Sequence, residues 1–399
     1  MSNAAIPPLL PVYKRADIAF ERGEGAYLFD RAGRRYLDFG SGIAVTLLGH
    51  AHPHLVAVLK AQGEKLWHCS NLYRIEPQQR LAERLVAHSF ADTAFFCNSG
   101  AEALECAIKM ARRFHHDRGQ PERHRIITFE GAFHGRTLAT ISAGGQDKYL
   151  EGFRPALPGF DPVPLGEIDK VEAAIGPETA AILIEPIQGE GGIRTVPRGF
   201  LEELRQLCDE HDLLLVLDEV QCGMGRTGRL FAYEWTRMTP DIMALAKGLG
   251  GGFPIGACLA TARAASGMAP GCHGSTFGGN PLACAVANGV LDVVLEEGFL
   301  DHVRAMAERL HAELERLAAA FPSVVQEVRG QGLLLGLRCG PPSADISAEL
   351  MARGMLAPTA GENVLRLLPP LIIEQRHIDE AIGKLQDVFQ DFAGREAAQ

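Results

Sequence analysis

Leu213–Gly228 reads LLLVLDEVQCGMGRTG, and its first five residues decide the fold. Leu213–Leu217 is apolar at every position, with no polar alternation, as a strand buried on both faces should be. Strands of that kind belong to sheets covered by helices on both sides. Outward from it, similar short apolar runs recur at Thr93–Cys97, Arg125–Phe129, Ala180–Ile184, Asp241–Ala246 and Ile255–Ala260. Helical periodicity fills intervening stretches at Glu76–His88, Ala101–His115 and Arg198–Asp212. From about Pro77 to Ala260 the alternation predicts an α/β fold. Beyond about Leu300 the pattern changes. A helix rich in Ala, Glu and Arg (Asp301–Ala320), a strand–glycine–strand pattern in VVQEVRGQGLLLGL and a closing helix after Ile373 predict a smaller α+β domain. Near the start, FERGEGAYLFDRAGRRYLDF has Gly-centred turns that predict short hairpins.

Composition bounds the function. The 399 residues are long enough for two or three domains. A net charge of −10 argues against a general affinity for nucleic acid or anionic membrane. The basic stretch ARRFHHDRGQPERHR (Ala111–Arg125) reads as a solvated helix end and loop. The opening MSNAAIPPLLPVYKR lacks a basic leader region, its apolar run is broken by prolines, and no run approaches a membrane span, so a cytoplasmic protein is expected. Nine cysteines without a C-x-x-C pair suit reduced thiols in the core.

Several segments carry candidate chemistry. In PDIMALAKGLGGGFPIGA, Lys247 directly follows an apolar strand and precedes a glycine run that leaves room for a bulky ligand. Desolvation there favours the neutral amine, which attacks carbonyls; an ordinary surface lysine is the alternative. Asp218 ends the most apolar strand, where open α/β sheets bind ligands. It is suited to holding a positive charge, or is a structural acid. In TAFFCNSGAEALECAIKMAR, Ser99, Gly100 and Ala101 begin a helix whose free N–H groups suit a phosphate, though a simple cap is equally compatible. FEGAFHGRTLAT offers Phe133 to a flat ring and Arg136 to a carboxylate. HGSTFGGNP offers the hydroxyls of Ser275 and Thr276.

Three features invite other readings. Gly223, Gly225 and Gly228 satisfy G-x-G-x-x-G, but DEVQ separates them from the strand and RLFAYEWT makes a poor helix, which disfavours a dinucleotide loop. His50, His52 and His54 alternate in GHAHPH, yet no carboxylate or cysteine joins them at ligand spacing, so no metal is assigned. In the GEGG of Gly189–Gly192, Glu190 would repel a phosphate and fits better beside an arginine.

Taken in order, DFGSGIAVTLLGHAHP, HCSNLY, FCNSGAEALE, FHGRT, EPIQGEGG, LDEVQCGMGRTG, KGLGGGFPIGA and STFGGNPLACA resemble the class III (subgroup II) aminotransferases of fold type I, and among these most nearly the acetylornithine aminotransferases. The likeness runs from about Tyr13 to the final helix. It implies a fold type I transferase dependent on pyridoxal 5′-phosphate, with a large domain and a small domain built from both chain ends: residues 1–60 contributing to the small domain, 61–299 forming the large one, and 300–399 completing the small one. It implies that Lys247 carries the cofactor as a Schiff base and shuttles a proton, and that Asp218 pairs with the pyridine nitrogen. Gln221 would bond the ring oxygen, Phe133 and Val220 would flank the ring, and Ser99, Gly100 and Ala101 would hold the phosphate, joined by Thr276 of the partner subunit in a homodimer with shared sites. Arg136 and Ser275 would contact substrate; Arg366, in VLRLLPP, would bind a second carboxylate and pair with Glu190 in its absence. The implied reaction moves the δ-amino group of N-acetylornithine to 2-oxoglutarate, a step of arginine biosynthesis. Ile43 stands where ornithine aminotransferases usually have a tyrosine, which argues against free ornithine. Succinylornithine, N-succinyl-diaminopimelate and 4-aminobutyrate remain as rival donors, and an aminomutase, a lyase or a nicotinamide oxidoreductase as rival classes.

Overall fold

A computed structural model describes residues 8–397, so the first seven residues of the stretch read for targeting lie outside the described residues. Its centre is a seven-stranded sheet: β1 (Thr93–Cys97), β2 (Arg125–Phe129), β3 (Phe160–Val163), β4 (Thr179–Ile184), β5 (Leu214–Asp218), β6 (Ile242–Leu245) and β7 (Gly256–Ala260). In space the order is β1-β7-β6-β5-β4-β2-β3. β5 lies between β4 and β6, parallel to both, and is buried along its whole length, which is why its sequence has no polar face. β7 runs antiparallel to both of its neighbours. Only residues 246–255 separate β6 from β7, fewer than the roughly dozen that a parallel crossover needs.

β3 was not anticipated from the sequence. Its FDPV contains a proline, which removes a ladder donor and masks the strand signal. The position explains the tolerance, because β3 is the outermost strand and pairs only with β2. Helices expected from periodicity appear at Glu76–Ala87, Gly100–Asp117 and Arg198–Glu210, each burying one apolar stripe.

A four-stranded sheet pairs Phe20–Glu24, Tyr27–Asp30 and Arg35–Asp38 with Met355–Leu356, so it joins segments from near both ends of the chain. Another joins Val325–Gln331 and Leu334–Cys339 to Val364–Leu367 and Thr359–Ala360. The helices Phe299–Ala320 and Gln375–Ala397 belong to this half of the chain. All cysteines except Cys69 and Cys272 are buried, and none is bonded to another. Among the described residues no helix is long and apolar enough to cross a membrane.

The parallel strands end together. β1 leads into Ser99 and the helix Gly100–Asp117, β2 into the turn holding Phe133, β4 into Glu185, β5 into Asp218, and β6 into Lys247. That shared edge is where ligands bind in open α/β sheets. Gly256 of β7 closes it tightly: a Cβ there would sit 2.4 Å from the Ser99 carbonyl oxygen and 2.9 Å from Cys97 Sγ. Gly256→Ala should therefore destabilise the protein by about 1–3 kcal/mol. Gly176→Ala, with nothing within 4 Å of its new methyl, serves as the neutral control in denaturant midpoint measurements.

Candidate active site

Lys247, Asp218, Ser99, Gly100, Ala101, Phe133, Val220 and Gln221 all line one cavity of about 310 Å³ at the carboxyl edge of the sheet. Lys247 opens a 3-10 turn with φ of 43°, a left-handed conformation uncommon for a side-chain-bearing residue and typical of functional sites. Its ammonium makes no hydrogen bond or ion pair among the described residues. Burial pulls its pKa below the ordinary lysine value, although the charges of Glu190 and Asp218 resist the shift. The net effect is to make the amine that faces the cavity easier to deprotonate than an ordinary lysine.

Asp218 is 4% exposed, and both of its oxygens are engaged. Oδ2 lies 2.8 Å from Nδ1 of His134, and Oδ1 accepts from the Val220 amide at 3.0 Å. Burial opposes a charge on His134, but the hydrogen bond and charge of Asp218, with Glu185 nearby, outweigh it and raise the imidazole pKa. Nε2 of the same ring is buried without a partner. Glu185 is also buried; its Oε2 accepts from the Phe133 amide at 2.9 Å and its Oε1 from Gly189 at 3.4 Å. Burial, helped by Asp218, pushes the Glu185 carboxyl up to about 8 against the pull of His134. His134 and Glu185 line the cavity and had not been singled out. They sit inside the quoted FHGRT and EPIQGEGG. Glu185 directly follows an apolar strand, so a signal existed for it, but burial, which gives His134 its importance, leaves no local mark in the sequence.

At the helix start, Ser99 Oγ accepts from the Glu102 amide at 3.3 Å, and Glu102 returns to the Asn98 amide at 2.6 Å. The Gly100 and Ala101 amides make no hydrogen bond among the described residues and remain available to an anion. Gln221 Oε1 is likewise buried without a partner. A Cβ on Gly100 would come within 2.8 Å of Val220, so glycine keeps the cavity wall open.

The remaining candidates do not line this cavity. Arg366 is buried, ion-paired with Glu190, and donates to the Thr359 carbonyl at 2.9 Å, while its Nε has no partner. Arg136 is exposed and stacked on aromatic rings. Ser275 Oγ accepts from Asn98 Nδ2 at 3.2 Å, which brings it to the cavity rim. Thr276 of the same chain is exposed and does not line the cavity. Ile43 is 38% exposed and lines a separate groove with Phe20, Leu28, Leu356 and Pro358. It lies in a run, Ser41–Ala44, in which every φ is positive.

The alternative motifs resolve differently. Gly223–Gly228 lies in successive turns with no α-helix directly behind it, and Asp241, the acid a dinucleotide reading would need for a ribose, is instead bound by Arg205 and Arg263. His50 pairs with Asp38 and His54 with Asp292, so the alternating histidines do not converge. Among the described residues no three potential ligand side chains gather as a metal site.

Comparison with known proteins agrees with this geometry. The family model described as Aminotransferase class-III matches residues 11–389. The acetylornithine aminotransferase of Agrobacterium fabrum is 58% identical over 397 residues, covering 100% of this chain and 99% of that protein. The one from Mesorhizobium japonicum is 61% identical over 386 residues, covering 97% and 96%. Among solved structures, the N-acetylornithine aminotransferase of Stenotrophomonas maltophilia superposes with a TM-score of 0.84 at 40% identity, covering 97% of this chain and 98% of that one. The ornithine aminotransferase of Toxoplasma gondii gives 0.93 at 31%, covering 97% and 94%.

The buried carboxyl of Glu185 makes a pH-dependent contribution to stability. Its folded pKa lies above the unfolded value of about 4.3. The native state therefore keeps a proton that the unfolded chain releases, and that stabilisation is full below about pH 4 and lost as pH rises through about 8. Glu185→Gln lacks this term, so its stability relative to wild type should rise between about pH 5 and pH 8. A constant difference in denaturation midpoint across that window would contradict the raised pKa.

Proposed function

Because this chain belongs to the class III aminotransferases and is a transaminase, we propose that it binds pyridoxal 5′-phosphate through Lys247 and transfers the δ-amino group of N2-acetyl-L-ornithine to 2-oxoglutarate. The products are N-acetyl-L-glutamate 5-semialdehyde and L-glutamate, and the reaction is a step of arginine biosynthesis. The observation that carries the reading is the convergence, on one cavity, of an unpaired lysine, a buried carboxylate, an unpaired side-chain amide on Gln221 and two free helix-start amides. The choice of donor is supported by relatives of that name at 58% and 61% identity over nearly the whole chain.

The residues fit the cofactor. Gly100 and Ala101 amides with the Ser99 hydroxyl suit its phosphate. Phe133 and Val220 offer apolar contact to the ring, and the Gln221 side-chain N–H would donate to its oxygen. Asp218, held by His134, keeps a proton on the ring nitrogen. When bound, the cofactor supplies an electron sink for the carbon that carries the amino group. Lys247 Nζ, its pKa lowered by burial, would take the proton from that carbon and deliver it to the cofactor rather than back to the donor, so that the amino group can leave the donor carbon.

Arg136 binds the donor's carboxylate. In the second half-reaction Arg366 leaves Glu190 and binds one carboxylate of 2-oxoglutarate while Arg136 binds the other. Glu190 neutralises Arg366 while a donor with a single carboxylate is bound, which lets one site serve both substrates. Ile43, standing where ornithine aminotransferases usually have a tyrosine, offers no hydroxyl to a free α-ammonium, which favours an acylated donor.

A homodimer with shared sites completes this reading. Trp67 (66% exposed), Leu72 (85%), Tyr73 and Phe277 form an apolar surface of a kind that marks interfaces. Asn71 joins its two segments, donating to the carbonyls of Ser275 at 3.2 Å and Gly278 at 2.9 Å. Thr276 lies on this surface, and the second copy brings its own Thr276 to the phosphate.

With 2-oxoglutarate as acceptor, N-acetylornithine should exceed free ornithine in kcat/KM by at least about ten-fold. It should also exceed succinylornithine, N-succinyl-diaminopimelate and 4-aminobutyrate. Lys247→Ala should lose both turnover and the visible absorbance of bound cofactor. Equal rates with free ornithine would refute the acyl-donor assignment. Hybrid dimers of one Lys247→Ala chain and one Thr276→Ala chain test the sharing. The site with an intact lysine then also receives an intact threonine, and its activity at limiting cofactor should exceed that of a Thr276→Ala homodimer site. Equal weakness would return Thr276 to its own chain.

A further inference from the structure

The two arginines assigned to carboxylates are restrained in different ways. Arg366 is buried and paired with Glu190, whose oxygen occupies one of the N–H groups a ligand would use. Arg136 is exposed and has no carboxylate partner among the described residues. Its guanidinium carbon lies 4.3 Å from the ring centroid of Tyr149 and 5.4 Å from that of Phe133. These rings meet edge to face, with centroids 5.7 Å apart and planes at 75°. Tyr149 is half-buried and comes from a separate short helix, Asp147–Leu150, beyond the helix that follows Arg136.

Resting on the assignment of Arg136 to the substrate carboxylate, we propose that Tyr149 is a positioning residue that holds the Arg136 guanidinium by its face and leaves its N–H edge open to a carboxylate. The physics separates the two clamps. An aromatic ring attracts a cation through its π-face, whereas a carboxylate binds a guanidinium in the plane of its N–H fork. Tyr149 and a substrate carboxylate therefore bind Arg136 together. Glu190 and a substrate carboxylate compete for Arg366. Arg136 is a standing clamp, ready for a carboxylate in both half-reactions, and Arg366 is a clamp that must first be released. The ordering has a further anchor, because Phe133, which meets Tyr149 edge to face, also lines the cofactor cavity. Lys148 Nζ lies 4.7 Å from the Tyr149 centroid and adds a second cation to the same ring.

The test uses the holoenzyme with glutarate, a dicarboxylate that has no amino or keto group to react, titrated calorimetrically, together with steady-state kinetics on N-acetylornithine. Tyr149→Leu should raise the glutarate Kd and the N-acetylornithine KM about two- to five-fold, the worth of an exposed cation–π contact, with kcat held within about two-fold. Tyr149→Phe keeps the ring and should recover most of the lost affinity. Tyr149→Met is the second aliphatic replacement if the leucine variant folds poorly. Arg136→Leu separates the two ideas. If it weakens glutarate binding while Tyr149→Leu and Tyr149→Met do not, the positioning role fails and the carboxylate assignment stands. If Arg136→Leu leaves the glutarate Kd unchanged, both fail. A phenylalanine variant as weak as the leucine one would assign the effect to the hydroxyl and overturn the proposal. So would a loss confined to kcat.

Discussion

A carboxylate buried at the end of the innermost strand is the constraint on which the rest of the site depends. Asp218 has almost no contact with solvent, so its charge must be met by donors within the protein. Val220 meets one oxygen from the chain just ahead, and His134 meets the other from the far side of the sheet edge. Placing His134 there dictates the path of the turn that carries it. Glu185 fixes the same turn by accepting from the Phe133 amide. The positions of Phe133 and Arg136 follow from these bonds. One buried charge thus sets a cavity wall and, through the aromatic contact with Tyr149, the direction of a guanidinium at the mouth.

Much of this architecture is legible in the residues themselves. Thr93–Cys97 and Arg125–Phe129 read as strands with the limits they have in the structure, because each apolar run is bounded by polar residues and turns. Lys247 and Asp218 stand out because a charged residue directly after an apolar strand has few structural excuses. The unreadable parts share a different cause. The direction of β7 depends on where its neighbours lie, not on its own composition. His134 carries meaning only through burial and through a partner 84 positions away, whereas Glu185, directly after an apolar strand, bears the same mark as Asp218 and was passed over. Tyr149 is one aromatic residue in a four-residue helix with no periodicity to mark it.

Two stretches of left-handed backbone adjoin residues that line the cavity or belong to it. Lys247 is left-handed, and so are Ser41, Gly42, Ile43 and Ala44 in succession, three of them bearing side chains. Such conformations cost roughly 1–3 kcal/mol each and persist only where surroundings enforce them. For the second segment the enforcement is visible. Asp38 Oδ1 accepts from the amides of Gly40 and Ser41 at 2.9 and 2.8 Å, and its Oδ2 is held by His50 at 2.8 Å. Ser41 and Ala44 are buried on either side of Ile43. Two small buried anchors therefore hold a bulky residue in the lining of its groove.

The proline of β3 bears on how the molecule avoids its own kind. An outermost strand presents unpaired backbone groups that recruit strands of other chains, and the usual defences are short length and missing donors. Phe160–Val163 has both, with four residues and an imide nitrogen at Pro162. The large sheet is thereby poorly suited to growth by edge-to-edge stacking on that side. A newly made chain, crowded by copies with the same apolar strands, has less opportunity to polymerise through this margin before its helices close over the sheet faces.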